Sequence, residues 1–151
     1  MATYVDPLVV GRVIGDVVDF FMPTVAMSVN FNSKNISNSC RIKPAMAINQ
    51  PIIHITGRSS QLFTLVMTDP DAPSPSDPIM REWVHCGPQP TVGIHRYVLV
   101  LFLQKSPFQV VAPPTTRANF STREFAARFD LGLPVAAAYF NSQKEPAARR
   151  R

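Results

Sequence analysis

A chain of 151 residues that is 46% hydrophobic and 17% charged has the length of one domain and enough apolar surface to bury a core, which excludes global disorder. Its longest uninterrupted apolar run is seven residues, 97–103, far below the ~18–20 needed to cross a bilayer, so a transmembrane segment is excluded. The net charge of +5 is mostly terminal: Lys144, Arg149, Arg150 and Arg151 less Glu145 contribute +3, so residues 144–151 read as a solvated basic tail behind a single domain at 1–143.

No basic leader and no small-residue cleavage site accompanies Asp6-Pro7-Leu8-Val9-Val10, which sets the expectation of an intracellular protein. Cys40 and Cys86 are then expected as free thiols, with neither disulfide nor zinc-ligand spacing.

In chain order, Asp6 caps and Pro7 starts a helix whose apolar face is Val10, Val13, Ile14, Val17, Val18 and Phe21, at steps of three and four residues. Runs rich in β-branched and aromatic residues at 25–31, 52–56, 62–68 and 96–103 predict strands, with another at 135–140. The near-continuous apolarity of 62–67 and 97–103 predicts central strands covered on both faces. The chain holds fifteen prolines, about twice the usual share of ~5%, and six of them lie between Pro70 and Pro90, so the middle of the chain is assigned to extended segments and turns. Ser121 and Glu124 have the spacing of a capping box before Phe125, Ala126 and Phe129, and Gly132 and Pro134 supply a stop, which predicts a second helix. The fold class is mainly β: a sandwich or a covered sheet, with short helices near the two ends of the chain.

Three clusters carry the residue types that chemistry needs. The stretch 68–78 holds Asp69 and Asp71 among prolines that stiffen it and allow a cis X-Pro bond; its bland reading is a rigid loop with Asx turns. Arg81-Glu82-Trp83-Val84-His85 and Gly93-Ile94-His95-Arg96 each place a histidine near an arginine, and together they suit a small anion, because charge-assisted donors converge on acceptor-only oxygens. The competing reading is two hydrogen-bonded structural histidines. No Gly-x-Ser-x-Gly turn presents a serine nucleophile, no paired ligand spacing marks a metal site, and no Gly-rich phosphate loop or aromatic-basic face marks nucleotide or nucleic-acid binding. The expectation is a non-enzyme with no cofactor and no direct nucleic-acid contact.

The Asp-Pro-Asp-x-Pro segment at 69–73, the acid-histidine segment around His85 and the Gly-Ile-His-Arg at 93–96 together resemble the phosphatidylethanolamine-binding protein family. Residues 6–17, 67–76, 129–136 and 139–151 are similar to its plant branch, in the Mother of FT and Terminal Flower subclass. The resemblance implies a sandwich with a small anion pocket at one end and a monomeric, non-catalytic regulator of plant development. Its role would lie in seed dormancy and germination, abscisic acid signalling or flowering time, in nucleus and cytoplasm. Carried over by position, Asp69, Asp71, Pro73, His85 and His95 match the pocket motifs, with Arg81 and Arg96 bracing them and Gly93 opening the last motif. Trp83 stands where florigen-like members carry tyrosine and Terminal Flower-like repressors carry histidine, which sets this chain apart from both groups.

One departure is large. Only Cys86 separates His85 from Gly87-Pro88-Gln89-Pro90, where the family has roughly twenty residues more, enough for a strand of ~5–6 residues and its connection. The junction reads as an internal deletion. Each buried ladder group left unpaired by a lost strand costs ~1–3 kcal/mol against a total stability of ~5–15. The family's 14-3-3 and bZIP transcription-factor partners are expected to bind weakly, because part of their docking segment is missing and Ser60 stands where a docking arginine is found. The alternatives are a carrier of a phospholipid head group or another phosphate-bearing ligand, and an inactive or interfering isoform.

Overall fold

The computed structural model describes residues 3–85, 87–108 and 111–147. In chain order the elements are α1 (Pro7–Val10), α2 (Val13–Asp16), β1 (Met27–Phe31), β2 (Lys34–Asn35), a 3-10 turn (Pro44–Ala47), β3 (Ile52–Ile55), β4 (Phe63–Asp69), β5 (Trp83–Val84), β6 (Ile94–Leu103), α3 (Thr122–Arg128) and β7 (Ala136–Gln143). The strands form two antiparallel sheets, ordered β2-β1-β3 and β5-β4-β6-β7.

The ten residues of β6 form the axis of the larger sheet, pairing Thr68 with Val98 on the β4 side and Val98 with Tyr139 on the β7 side. Period-two alternation sends Val98, Val100 and Phe102 to one face and Tyr97 and Leu99 to the other. The first face packs against Leu8, Val13, Val17, Val18 and Phe21 from the N-terminal segment, with Ala126 of α3 and Leu131 just beyond it. The second packs against Val29 and Phe31 of β1, Ile42, Ala47 and Phe140. Residues 97–102 of β6 are therefore buried on both faces, as the apolar run predicts.

β4 departs from that expectation. Leu65 is 39% exposed, because β5 is only two residues long and pairs with β4 at Thr68 and Asp69 alone. The N-terminal half of β4 has β6 on one side and, among the described residues, no strand on the other.

The single N-terminal helix does not form. Asp6 does cap α1, its Oδ1 accepting from Leu8 N–H at 2.8 Å, but Arg12 then takes φ 58°, Ile14 is extended and Gly15 takes φ 115°. Helix-poor valines offer little resistance to this break, and tertiary contact rewards it: a Cβ on Gly11 would stand 2.3 Å from Tyr139 Oη, so glycine lets the segment lie against β7. The break still delivers Val13, Val17, Val18 and Phe21 to the core, while Val10 turns outward at 66% exposure.

The second helix forms as its capping residues predict, with Ser121 Oγ accepting from Glu124 N–H at 3.2 Å. Buried Glu82 adds a tertiary cap, its Oε2 accepting from Thr122 N–H at 3.0 Å. The short β2, β5 and the Pro44–Ala47 turn carry no periodicity that would announce them. Cys86 and the arginines of the basic tail, Arg149 to Arg151, lie outside the described residues.

Candidate functional site

Sheet register brings the predicted clusters together. The C-terminal end of β4 carries Asp69, and the antiparallel N-terminal end of β6 beside it carries His95, Arg96 and Tyr97. Alternation then divides the β6 residues: His95 and Tyr97 share one face and Arg96 takes the other. The result is two adjoining polar compartments.

In the first, His95 Nδ1 lies 2.6 Å from Asp69 Oδ2 and Nε2 lies 2.8 Å from the Val92 carbonyl oxygen. An ionised carboxylate and a carbonyl only accept, so both ring nitrogens donate and the imidazole is cationic. Burial opposes that charge, but Asp69 and the Val92 carbonyl outweigh it and raise the His95 pKa above its ordinary value. Burial likewise disfavours ionised Asp69, yet the imidazoles of His85 and His95 and the Asp71 N–H, donating to Asp69 Oδ1 at 2.8 Å, hold its pKa below the ordinary value. His85 Nε2 stands 3.7 Å from Asp69 Oδ2, too far for a hydrogen bond, and neither it nor the buried Tyr97 hydroxyl has a hydrogen-bond partner among the described residues. Burial and the neighbouring Asp69 push the Tyr97 pKa up. The rings of Trp83, His85, Tyr97 and Phe140 follow one another at centroid separations of 6.4, 5.2 and 5.4 Å, so Trp83 begins an aromatic wall that backs the imidazoles.

In the second compartment, Asp71 Oδ2 accepts from the Arg96 main-chain N–H at 2.8 Å and from Nε at 2.9 Å, while Oδ1 accepts from Nη2 at 2.6 Å. This two-pronged bond matches the planar guanidinium to the carboxylate. The remaining Arg96 nitrogen reaches the Gly11 carbonyl and Asp16 Oδ2, both at 2.9 Å, which ties β6 to the broken N-terminal segment. Burial disfavours charged Arg96, but Asp71 and Asp16 prevail and raise its pKa. Arg81 donates from Nε to the Pro70 carbonyl at 2.6 Å and stands 3.8 Å from both Asp16 and Asp71.

Two predicted residues shape the chain around these groups. The Ala72–Pro73 bond is cis, and the Pro73 carbonyl accepts from Thr91 Oγ1. Gly93 takes φ 77°, and a Cβ there would stand 3.0 Å from the Pro75 ring, so a side chain is disfavoured both by conformation and by space. Asp16, Tyr97 and the Val92 carbonyl escape the motif reading. Tyr97 is legible as the residue two places beyond His95 on the same strand face; Asp16, an acid among buried valines, signals a partner without naming it.

The arrangement neutralises its own charge: carboxylates Asp16, Asp69 and Asp71 face the guanidiniums of Arg81 and Arg96 and the His95 imidazolium. Both ring nitrogens of His95 are engaged within the chain, one by Asp69 and the other by the Val92 carbonyl.

A profile of the family described as phosphatidylethanolamine-binding protein matches residues 28–86, ending where the expected deletion begins. The chain is 52% identical to Protein MOTHER of FT and TFL1 homolog 2 of Oryza sativa subsp. japonica, over 174 aligned positions that cover 100% of both chains. Those 174 positions exceed the 151 residues by 23, the length that this relative carries and the chain lacks. It is 43% identical to Protein TERMINAL FLOWER 1 of Arabidopsis thaliana, covering 97% of this chain and 96% of the relative. Its structure superposes on a chain in the crystal structure of carboxypeptidase Y inhibitor complexed with the cognate proteinase, with TM-score 0.81, 22% identity and coverage of 92% and 94%. It also superposes on the phosphatidylethanolamine-binding protein from Plasmodium vivax, with TM-score 0.78, 19% identity and coverage of 92% and 96%. At such identities these two establish the shared sandwich fold, while the full-length identities establish descent: the chain belongs to the phosphatidylethanolamine-binding protein family, within the plant group of MOTHER of FT and TFL1 and TERMINAL FLOWER 1 relatives.

Proposed function

We propose that the chain is a non-enzymatic regulator of plant development acting in seed dormancy and germination through protein partners, in nucleus and cytoplasm. The observation that carries this reading is the 52% identity, end to end, with a MOTHER of FT and TFL1 homolog. The mutual neutralisation of Asp69 with His95 and of Asp71 with Arg96 supports it, since side chains bound to one another hold a surface in shape rather than attack a substrate. Contact with 14-3-3 and bZIP proteins is weak in this reading, because Ser60 replaces a docking arginine and 23 positions are missing. Seeds expressing the chain are expected to germinate at a changed rate on abscisic acid. Germination equal to that of untransformed seed, with the protein present at normal abundance, overturns the reading.

A second reading, binding of a phosphate-bearing head group, is favoured by one observation: His85 Nε2 is buried beside Asp69 with no hydrogen-bond partner among the described residues. Titration calorimetry with phosphoethanolamine separates the two readings. Heat that vanishes in His85→Ala supports a ligand site, and absence of heat with the folded chain leaves the cluster as structure.

A further inference from the structure

Among the described residues, the N-terminal half of β4 has no partner strand on the side away from β6. On the opposite side of the sheet β7 is covered, since Ile42 N–H donates to the Asn141 carbonyl at 3.0 Å and Asn141 N–H to the Cys40 carbonyl at 2.8 Å. Among the described residues, this half of β4 has no such cover. Gln104 N–H donates to the Leu62 carbonyl at 2.8 Å, so even-numbered residues face β6; His85 N–H donates to the Met67 carbonyl at 2.9 Å, so odd-numbered residues face the other way. By that alternation the amide and carbonyl groups of Phe63 and Leu65 point along the open edge. Among the described residues, the Phe63 carbonyl receives a long, 3.5 Å contact from the Gln104 side chain and no other.

The sequence of this edge offers none of the usual protection. Residues 61–68, Gln-Leu-Phe-Thr-Leu-Val-Met-Thr, contain no charge, no proline and no glycine. Such a segment is a template for another strand. By contrast β3, the outer strand of the smaller sheet, is four residues long with Pro51 before it and Arg58 close after it. The side chains add to the case: Leu65 sits across from Leu101 on the inter-sheet face yet stays 39% exposed.

We propose that this edge is a self-association surface, occupied by β4 of a second copy of the chain running antiparallel about a two-fold axis at Thr64. In that register Phe63 lies opposite Leu65 of the second copy and the reverse, giving four main-chain hydrogen bonds and two apolar pairs. The segment matches itself without opposing charges, which is what selects a copy of this chain over a charged peptide. The rice relative carries 23 positions that this chain lacks, and the family match ends at residue 86, next to the His85 that closes the paired end of β4. Two-fold pairing uses the edge on both copies, so association stops at the dimer. A one-strand contact is small, so the dimer is weak and concentration-dependent.

Sedimentation velocity of the full chain tests this. The expected result is an apparent mass that doubles as concentration rises. Leu65→Lys, which brings like charges near the axis, and Leu65→Pro, which deletes an outward N–H while sparing the bonds to β6, are expected to stay monomeric. A complementary variant gains a signal instead of losing one: Thr64 forms the non-hydrogen-bonded pair at the axis, with Cα atoms ~4.5 Å apart, within disulfide reach. Thr64→Cys in a chain with Cys40 and Cys86 replaced by serine is expected to oxidise to a covalent dimer. A native chain that keeps monomer mass at every concentration, a mass that climbs past the dimer, or a Thr64→Cys chain that stays uncrosslinked overturns the proposal.

Discussion

β4 begins at an edge with no partner strand among the described residues and ends at a buried, hydrogen-bonded carboxylate. At Thr68 and Asp69 it has β5 on one side and β6 on the other, and the Asp69 carboxylate is buried with a bond to His95 and another to the Asp71 amide. Four residues earlier, Leu65 has β6 on one side only and stands partly in water, although its partner Leu101 is fully buried. One strand thus hides a charge at one end and exposes a leucine at the other. Burial follows from neighbours rather than from residue type: a charged group goes inside where acceptors and donors match it, and an apolar group stays outside where the next strand is missing.

The contrast is broken most strongly at the closed end. Asp69→Ala leaves buried His95 without its charge partner, and the expected loss is ~3–5 kcal/mol in urea unfolding, the range for removing one partner of a buried pair. A loss below ~1 kcal/mol would place His95 in water and contradict the closed compartment.

Apolar truncation sharpens the same comparison. Leu99→Ala, at a fully buried position in β6, is expected to cost ~2–5 kcal/mol. Leu65→Ala is expected to cost well under half of that, because its side chain already meets solvent. Equal losses for the two would show that the edge is covered in solution, which a monomer–dimer comparison at two protein concentrations would then locate.

The mildest perturbation is titration. The folded His95 pKa lies above its ordinary value of 6.5, so its contribution to stability is fully present below about pH 6.5 and is lost as pH rises through the folded value. Stability of the native chain is expected to decline across that window, and the decline is expected to flatten in Asp69→Asn, which removes the carboxylate that raises the pKa. A native profile that is flat or rising there contradicts a cationic His95. Asp69 has the opposite sign: its folded pKa is depressed, so its contribution holds above the ordinary value of 3.8 and fails as pH falls through the folded value.

Much of this architecture is legible in the chain because its causes are short-range. The Ser121 cap of α3, the alternation along 97–103 and the strands near 27–31, 52–55 and 136–143 each depend on residues within a few positions of one another. The N-terminal segment shows where that logic stops. Its helical spacing is real, and four of its apolar residues reach the core, yet Gly11 against Tyr139 and Gly15 at positive φ break the helix that the spacing implies. Gly11 and Tyr139 are too far apart in the chain for any local pattern to reveal their contact.

At the site the division is the same. The residue set Asp69, Asp71, His85, His95 and Arg96 is readable from the chain alone, and so, through the order of its motifs, is the family. So is the shortened connection after His85. Which acid meets which base is set by the assembled fold: Asp69 takes His95 across 26 positions, Asp71 takes Arg96 across 25, and Asp16 joins from the far end of the chain. The physical reason is that strand alternation and caps are set within a few residues, whereas ion pairing and burial depend on the register between distant strands, which the packing of the whole sheet selects.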